Sequence, residues 1–460
     1  MAVRSAQFFW LLAFALLAQA PGWAADRERQ GQALRSAGAA DRDWIANLVP
    51  SQACAGDQVH TSTGDINLDL SCNINETNRD SQSGRGVSAV SEVNSGDSGT
   101  VDVKFTGSVT GWVIGVYALS DTDNGNSGAV KVDVDGDVGA WGYGSRGVYA
   151  ASLSGESGSS ADGIGSSGDV DISFDGVLNG GNPLDSDPWS SSNSVGLFAE
   201  SQSWGGGDAG NINVEIKGEI NTTQHDVHAL RALTFARGDS NSSNPGDSGD
   251  ITVNVNGPIN VKGGRSRGLY LSSGEAKPES SHENFGDSGN IDLSVIGDIT
   301  MRSDFDPFES RARWMYSVEY LTAVQAFSNA DYGSPGDIKL NLVGNLDVVS
   351  YEWAGVAAHT YSGGYWRDDV DALPAQAPQI DITHKGNIKV DGEGATGLSA
   401  GGRAVGGYSA SVNLDVEGDI IMASNAYYRE TTALYAHNYN EDGPQGADPG
   451  TMYARAGDLS

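Results

Sequence analysis

The chain repeats itself ten times, and that repetition constrains its fold more than any other feature. From Ile66 a first phrase recurs: apolar residues at three alternating positions, then Gly, then one more apolar residue two further on. The copies begin at Ile66, Val101, Val130, Val170, Ile212, Ile251, Ile291, Ile338, Ile380 and Val412, and include TVDVKFTGSV, DITVNVNGPI and NIDLSVIGDI. Gly stands at 107, 136, 176, 218, 257, 297, 344, 386 and 418, and Cys72 takes its place in the first copy. Among the alternating positions only His384 is not apolar. Strict period-two alternation over six residues is the pattern of a strand with one face in the core and the other in water.

Each copy is followed by a second phrase, small, aliphatic, any, small. Gly115-Val116-Tyr117-Ala118, Gly147-Val148-Tyr149-Ala150 and Ala229-Leu230-Arg231-Ala232 are examples, and the last is Ala433-Leu434-Tyr435-Ala436. Successive copies start 29 to 47 residues apart, so the unit is fixed while its loops vary. A unit of three short strands cannot bury its apolar face alone, whereas stacked units bury a continuous core and satisfy one another's backbone. The expectation is an all-β solenoid, a parallel β-helix of about ten coils over residues 61–436. Ten coils at ~4.8 Å make a rod of roughly 48 Å plus caps. A propeller is the runner-up because its blades have a similar length, but it fits neither the count of ten nor the missing Trp-Asp signature.

Composition supports this reading and narrows the partners. The chain has 63 Gly in 460 residues and a formal net charge of −33. A duplex-binding protein needs a basic footprint, so nucleic acid is excluded as the expected partner, and anionic membranes are disfavoured for the same reason. The acidic residues alternate with Val, Ile and Leu along the repeats, unlike a disordered acidic tail.

Residues 1–24 read as an export signal: Arg4 is the positive start, Phe8 to Ala18 the apolar stretch, and Gly22-Trp23-Ala24 a small-residue exit. Residues 25–60 are expected to form a leader and short N-terminal cap, and residues 437–460 a tail or incomplete repeat. Cys54 and Cys72 lie 18 apart. In an oxidising compartment such a pair reads as a disulfide rather than a metal site.

The pair SGDITVNVNGPI and RGLYLSS, with the export signal and Gly, Ser and Asp turns, resembles the Gly-rich repeats of proteobacterial autotransporter passenger domains, the type V secretion proteins. The resemblance covers about residues 60–436. It implies a right-handed parallel β-helix displayed at the cell surface by a C-terminal outer-membrane barrel, which would be its translocator partner. No series of about ten-residue alternating segments follows the repeats. The chain is therefore expected to be a fragment or truncated product, or to leave the cell by another route.

Motifs that suggest chemistry dissolve into the repeat. Gly-Asp-Ser-Gly, the tetrapeptide around the nucleophile of chymotrypsin-like proteases, occurs at Asp97-Ser98, Asp247-Ser248 and Asp287-Ser288. All three fall at one phase, which a reused turn explains and a single triad does not. Asp133-Val134-Asp135-Gly136-Asp137 begins like a calcium loop, but Val138 and Gly144 stand where Gly and Glu are required. The histidines form no ligand cluster, so no metal and no cofactor is expected. With no acid, base or nucleophile constellation, the expected function is adhesin-type recognition of a glycan or surface protein on another cell. A polysaccharide lyase or glycosidase on the same scaffold is the alternative.

The candidate binding residues occupy the third position of the second phrase and the long loops. If Val116 and Ala118 point inward, Tyr117 points out, and coils two to six present Tyr117, Tyr149, Phe198, Arg231 and Tyr270 as one column. Such a column is either a stacking ladder between coils or a binding stripe. The loops Arg302 to Leu321 and Tyr361 to Pro378 add Arg311, Arg313, Trp314 and Trp366 to the candidates.

Overall fold

The structure is a computed structural model. It describes Cys54 and residues 58–76, 84–142, 144–155, 165–181, 194–204, 206–223, 226–237, 246–264, 266–274, 286–302, 321–330, 333–349, 355–363, 377–391, 396–405, 410–423, 432–441 and 452–455. The export signal, the leader up to residue 53, and Arg311, Arg313, Trp314 and Trp366 lie outside the described residues.

Every regular element among the described residues is a β-strand, and every strand pairing is parallel. Each repeat makes one coil, and the chain is a parallel β-helix. The first phrase forms one strand column, the Gly-x-apolar segment a second and the second phrase a third. The first two columns run together in Val170–Gly180 and Ile212–Thr223, single strands that bend through both. Register follows the repeat without slippage. Val101 lies beside Ile66 on one side and Val130 on the other, and Val170, Ile212, Ile251, Ile291 and Ile338 continue the line.

That register stacks like on like. The inward positions form one continuous core from Leu68 to Ile420, built from Val, Ile, Leu, Phe and Ala with Met301. His384 is inside it at 0% exposure, between Leu342 and Val416. The turn glycines also stack. Gly107 to Gly418 have φ between +129° and +153°, and a Cβ at Gly257 would overlap the carbonyl of Gly218 below it. Both conditions demand glycine. Cys72 escapes them as the first of its column, and Asp226 is the sole described non-glycine with positive φ.

Side-chain ladders cap the corners. The carboxylate or amide at one turn accepts the backbone N–H one coil on: Asp208 from Asp247, and Asp247 from Asp287. A parallel series runs through Asp169, Asn211, Asp250, Asn290, Asp337 and Gln379. These contacts satisfy backbone donors at turns, where the sheet ladder is interrupted.

The rod extends one strand beyond the expected span at each end. Gln58–Ser62 pairs with Arg85–Val93, drawing part of the expected leader into the second-phrase sheet, which thus has eleven strands. Met452–Arg455 pairs with the Val412 strand, Met452 beside Val412 and Ala454 beside Leu414, where a tail or incomplete repeat was expected. This copy is hard to read because Ala replaces the usual branched residue and Gly457 comes one position early. Cys54 and Cys72 form a disulfide with Cα atoms 5.9 Å apart, closing the first coil.

Candidate functional site

The two principal sheets differ on their outward faces. First-phrase strands turn Asp, Lys, Asn and Thr to solvent, as in Val101–Thr106 and Val130–Asp135. Second-phrase strands are buried almost throughout, including their outward positions. Tyr117, Tyr149, Phe198 and Tyr270 lie on the outward side at the same register as Arg231, yet are only 2–6% exposed. They belong to a second apolar cluster, separate from the coil interior, with Ile114, Leu119, Val195 and Leu233.

Rings and guanidinium groups alternate there. Tyr117 stacks on Tyr149 with centroids 5.1 Å apart, and Tyr149 meets Phe198 at 5.3 Å. Arg85 lies over Tyr117 at 4.2 Å, Arg146 over Tyr149 at 4.5 Å and Phe198 at 5.2 Å, and Arg267 over Tyr270 at 4.7 Å. Arg231 spans Phe198 and Tyr270. The geometry is that of the stacking ladder, capped by cations on the ring faces. Burial raises the Tyr117 phenol above its usual range, against the opposing pull of Arg85 and Arg146.

Among the described residues one carboxylate is buried in this layer. Glu200, 7% exposed, accepts the Tyr149 hydroxyl at 3.0 Å and a hydrogen bond from the Gln202 amide. At the opposite end of these strands, where His228 lies beside Val195, burial and the neighbouring Arg267 and Arg231 hold the imidazole well below its usual range. Further along, Phe327 stacks on His359, His359 meets His437 at a tilt of 47°, and Tyr435 stacks on His437. The two imidazoles reach one another across Gly401, where a Cβ would press on the His437 ring. Burial lowers His359 to about 4.

The Gly-Asp-Ser-Gly serines have a structural assignment. Ser98 and Ser288 are 5–6% exposed and hydrogen-bond to Ser120 and Ser328 of the second-phrase sheet. Ser248 accepts the Ala236 N–H. None faces a histidine among its hydrogen-bond partners. Asp137, from the partial calcium motif, accepts the Val177 N–H of the next coil. Among the described residues no group of three or more His, Cys, Asp or Glu side chains is arranged to hold a metal ion.

Reading the sequence for aromatic positions passed over the arginines that cover them. Their signal was present: Arg85-Gly86-Val87, Arg146-Gly147-Val148 and Arg267-Gly268-Leu269 place Arg at one phase of the second phrase. Trp112 and Trp141, half-buried at the corner that precedes this phase in adjacent coils, were likewise not singled out. No protein-family model, curated protein or solved structure matches the chain.

Proposed function

We propose that the chain is a non-catalytic, exported rod of the autotransporter-passenger type that recognises a glycan or protein on another cell through the outward face of its second-phrase sheet. The observation that supports this reading is the contrast between faces. The first-phrase face carries the solvated residues a solenoid needs for solubility, whereas the second-phrase face departs from that pattern over coils one to six with arginines set on aromatic rings. Departures from a solvated outward face on a rigid scaffold are where recognition concentrates. The repeat phrases and the export signal favour surface display or secretion, with an outer-membrane barrel as translocator if the chain belongs to a longer protein.

The alternative, a carbohydrate-active enzyme, requires an acid and a base converging on one substrate position. Glu200 is the carboxylate of the second-phrase face that comes nearest, but the Tyr149 hydroxyl and Gln202 amide already engage it. The test exposes the purified exported chain to bacterial and host cells and to polysaccharides, scoring retention and chain cleavage separately. Saturable retention without cleavage is expected. Release of unsaturated or reducing ends would replace this reading with the enzymatic one.

A further inference from the structure

In a chain with 27 cationic and 60 anionic side chains, a half-buried arginine without a carboxylate partner stands apart from the exposed Lys104 and Lys131, which also lack one among the described residues. Arg302, Lys217, Lys339, Lys385 and Lys389 each pair with Asp or Glu. Arg85, Arg146 and Arg267 have no carboxylate within ion-pair distance among the described residues. Their side chains are half-buried, with guanidinium planes over Tyr117, Tyr149 and Tyr270. A guanidinium packed on a ring has its plane fixed by the aromatic face; Arg85 donates one N–H to the Ser88 hydroxyl at 3.4 Å, and the remaining N–H groups of the edge are the part able to meet an oxyanion. The rings beneath are covered, so the column does not offer bare aromatic faces to a neutral sugar.

The three arginines share one register position at unequal intervals. Arg85 belongs to the first coil, Arg146 to the third and Arg267 to the sixth, each at the same phase of its strand. Two coils separate the first pair, roughly 10 Å, and three coils, roughly 14 Å, the second. The shorter interval is the length of a disaccharide in an extended chain. Trp112 and Trp141 precede the strands Ile114–Thr122 and Arg146–Ser154, and a Cβ at Gly84, the residue before Arg85, would lie 3.1 Å from the Trp112 Cβ.

We infer that Arg85 and Arg146, flanked by Trp112 and Trp141, form a binding site for a linear acidic polysaccharide with a carboxylate or sulfate on alternate sugars, Arg267 engaging longer chains. This rests on the glycan reading of the proposed function and names its ligand class. The strongly negative rod repels polyanions at long range, which suppresses indiscriminate adhesion. At physiological ionic strength that field decays over about 8 Å, so the two arginines dominate the site they line. Binding along the rod axis lets one chain meet both cations at once and favours oligomers over a single disaccharide.

The experiment compares hyaluronate oligosaccharides, sulfated dextran, neutral dextran and polyglutamate as probes of the full exported chain at physiological salt. The double variant Arg85→Gln/Arg146→Gln is set against Lys104→Gln/Lys131→Gln, which removes the same charge from the first-phrase face. The expected result is binding of hyaluronate or sulfated dextran but not neutral dextran, weakened about tenfold or more in the arginine variant and unchanged in the lysine variant. Arg146→Lys, which keeps the charge and loses the planar fork, is the second variant should the double one fail to fold, and weaker binding is again expected. Equal affinity in the folded arginine variants, or equal binding of polyglutamate, overturns the inference. Cell retention without any acidic-glycan binding overturns it while leaving the proposed function standing, and loss of both overturns both.

Discussion

Tyr149 donates its phenolic hydrogen to Glu200 at 3.0 Å, although the two stand in neighbouring coils and are 51 residues apart in the chain. The contact exists because register brings Tyr149 beside Phe198 and Ala151 beside Glu200. Tyr149→Phe should therefore destabilise the rod by about 1–3 kcal/mol, the cost of withdrawing a donor from a buried carboxylate. Chemical denaturation measures it, and an unchanged midpoint would place the carboxylate in water.

Replacing Tyr117, Tyr149 and Tyr270 together by Ser tests the ladder. As exposed rings these would contribute only the pairwise stacking, about 0.5–1.5 kcal/mol each. Their burial makes them core side chains of the second cluster, so each is expected to cost roughly 3 kcal/mol or more. A melting transition lowered by only a degree or two would return the column to solvent.

The core and register were legible because they are properties of alternation: Val101, Val130 and Val170 share a phase and so share a line. Outward positions are less constrained by period. Tyr117 was correctly placed opposite Val116 and Ala118, but alternation states only a direction, and burial depends on neighbours such as Arg85 arriving from another coil. The stacked turn carboxylates were visible as repeated Asp and Asn, while their role as acceptors for the next coil's N–H required the stack itself. The final strand at Met452 was obscured by Ala454 and the displaced Gly457, since small residues carry little hydrophobic signal.

His384 makes the rod acid-sensitive. Burial lowers it to about 4, opposed by nearby backbone groups of Gly386 and Asn387, and neither ring nitrogen has a hydrogen-bond partner. The unfolded chain, with an ordinary imidazole near 6.5, binds the proton first. Stability is therefore full above about pH 6.5 and falls as pH drops towards 4, by up to ~3 kcal/mol from this residue. Denaturation at a series of pH values checks this, and His384→Leu should flatten the slope across that window. An unchanged slope would assign the acid sensitivity elsewhere.

Gly257→Ala should be strongly destabilising, about 2–4 kcal/mol, because φ is +152° and the new methyl meets the Gly218 backbone. Gly64→Ala is its control, with nothing within 4 Å of the added Cβ. Equal melting temperatures for the two variants would deny the stacked turn column.

Reduction of the Cys54–Cys72 bridge should loosen the first coil. The chain-entropy model gives about 3 kcal/mol for a loop of this length. Thiol titration of the exported protein should find neither cysteine free, and two accessible thiols would contradict the closed coil.

Distances along the rod test the stacked solenoid itself most directly. Asp102, Asn213, Asp292 and Asn413 share one outward phase of the first-phrase strands. Spin labels introduced in pairs with position 102 should report separations rising linearly, ~14 Å to position 213, ~24 Å to 292 and ~38 Å to 413, broadened by the label arms. Separations that rise and then shrink towards position 413 would describe repeats closed into a ring, and would contradict the β-helix on which every column described above depends.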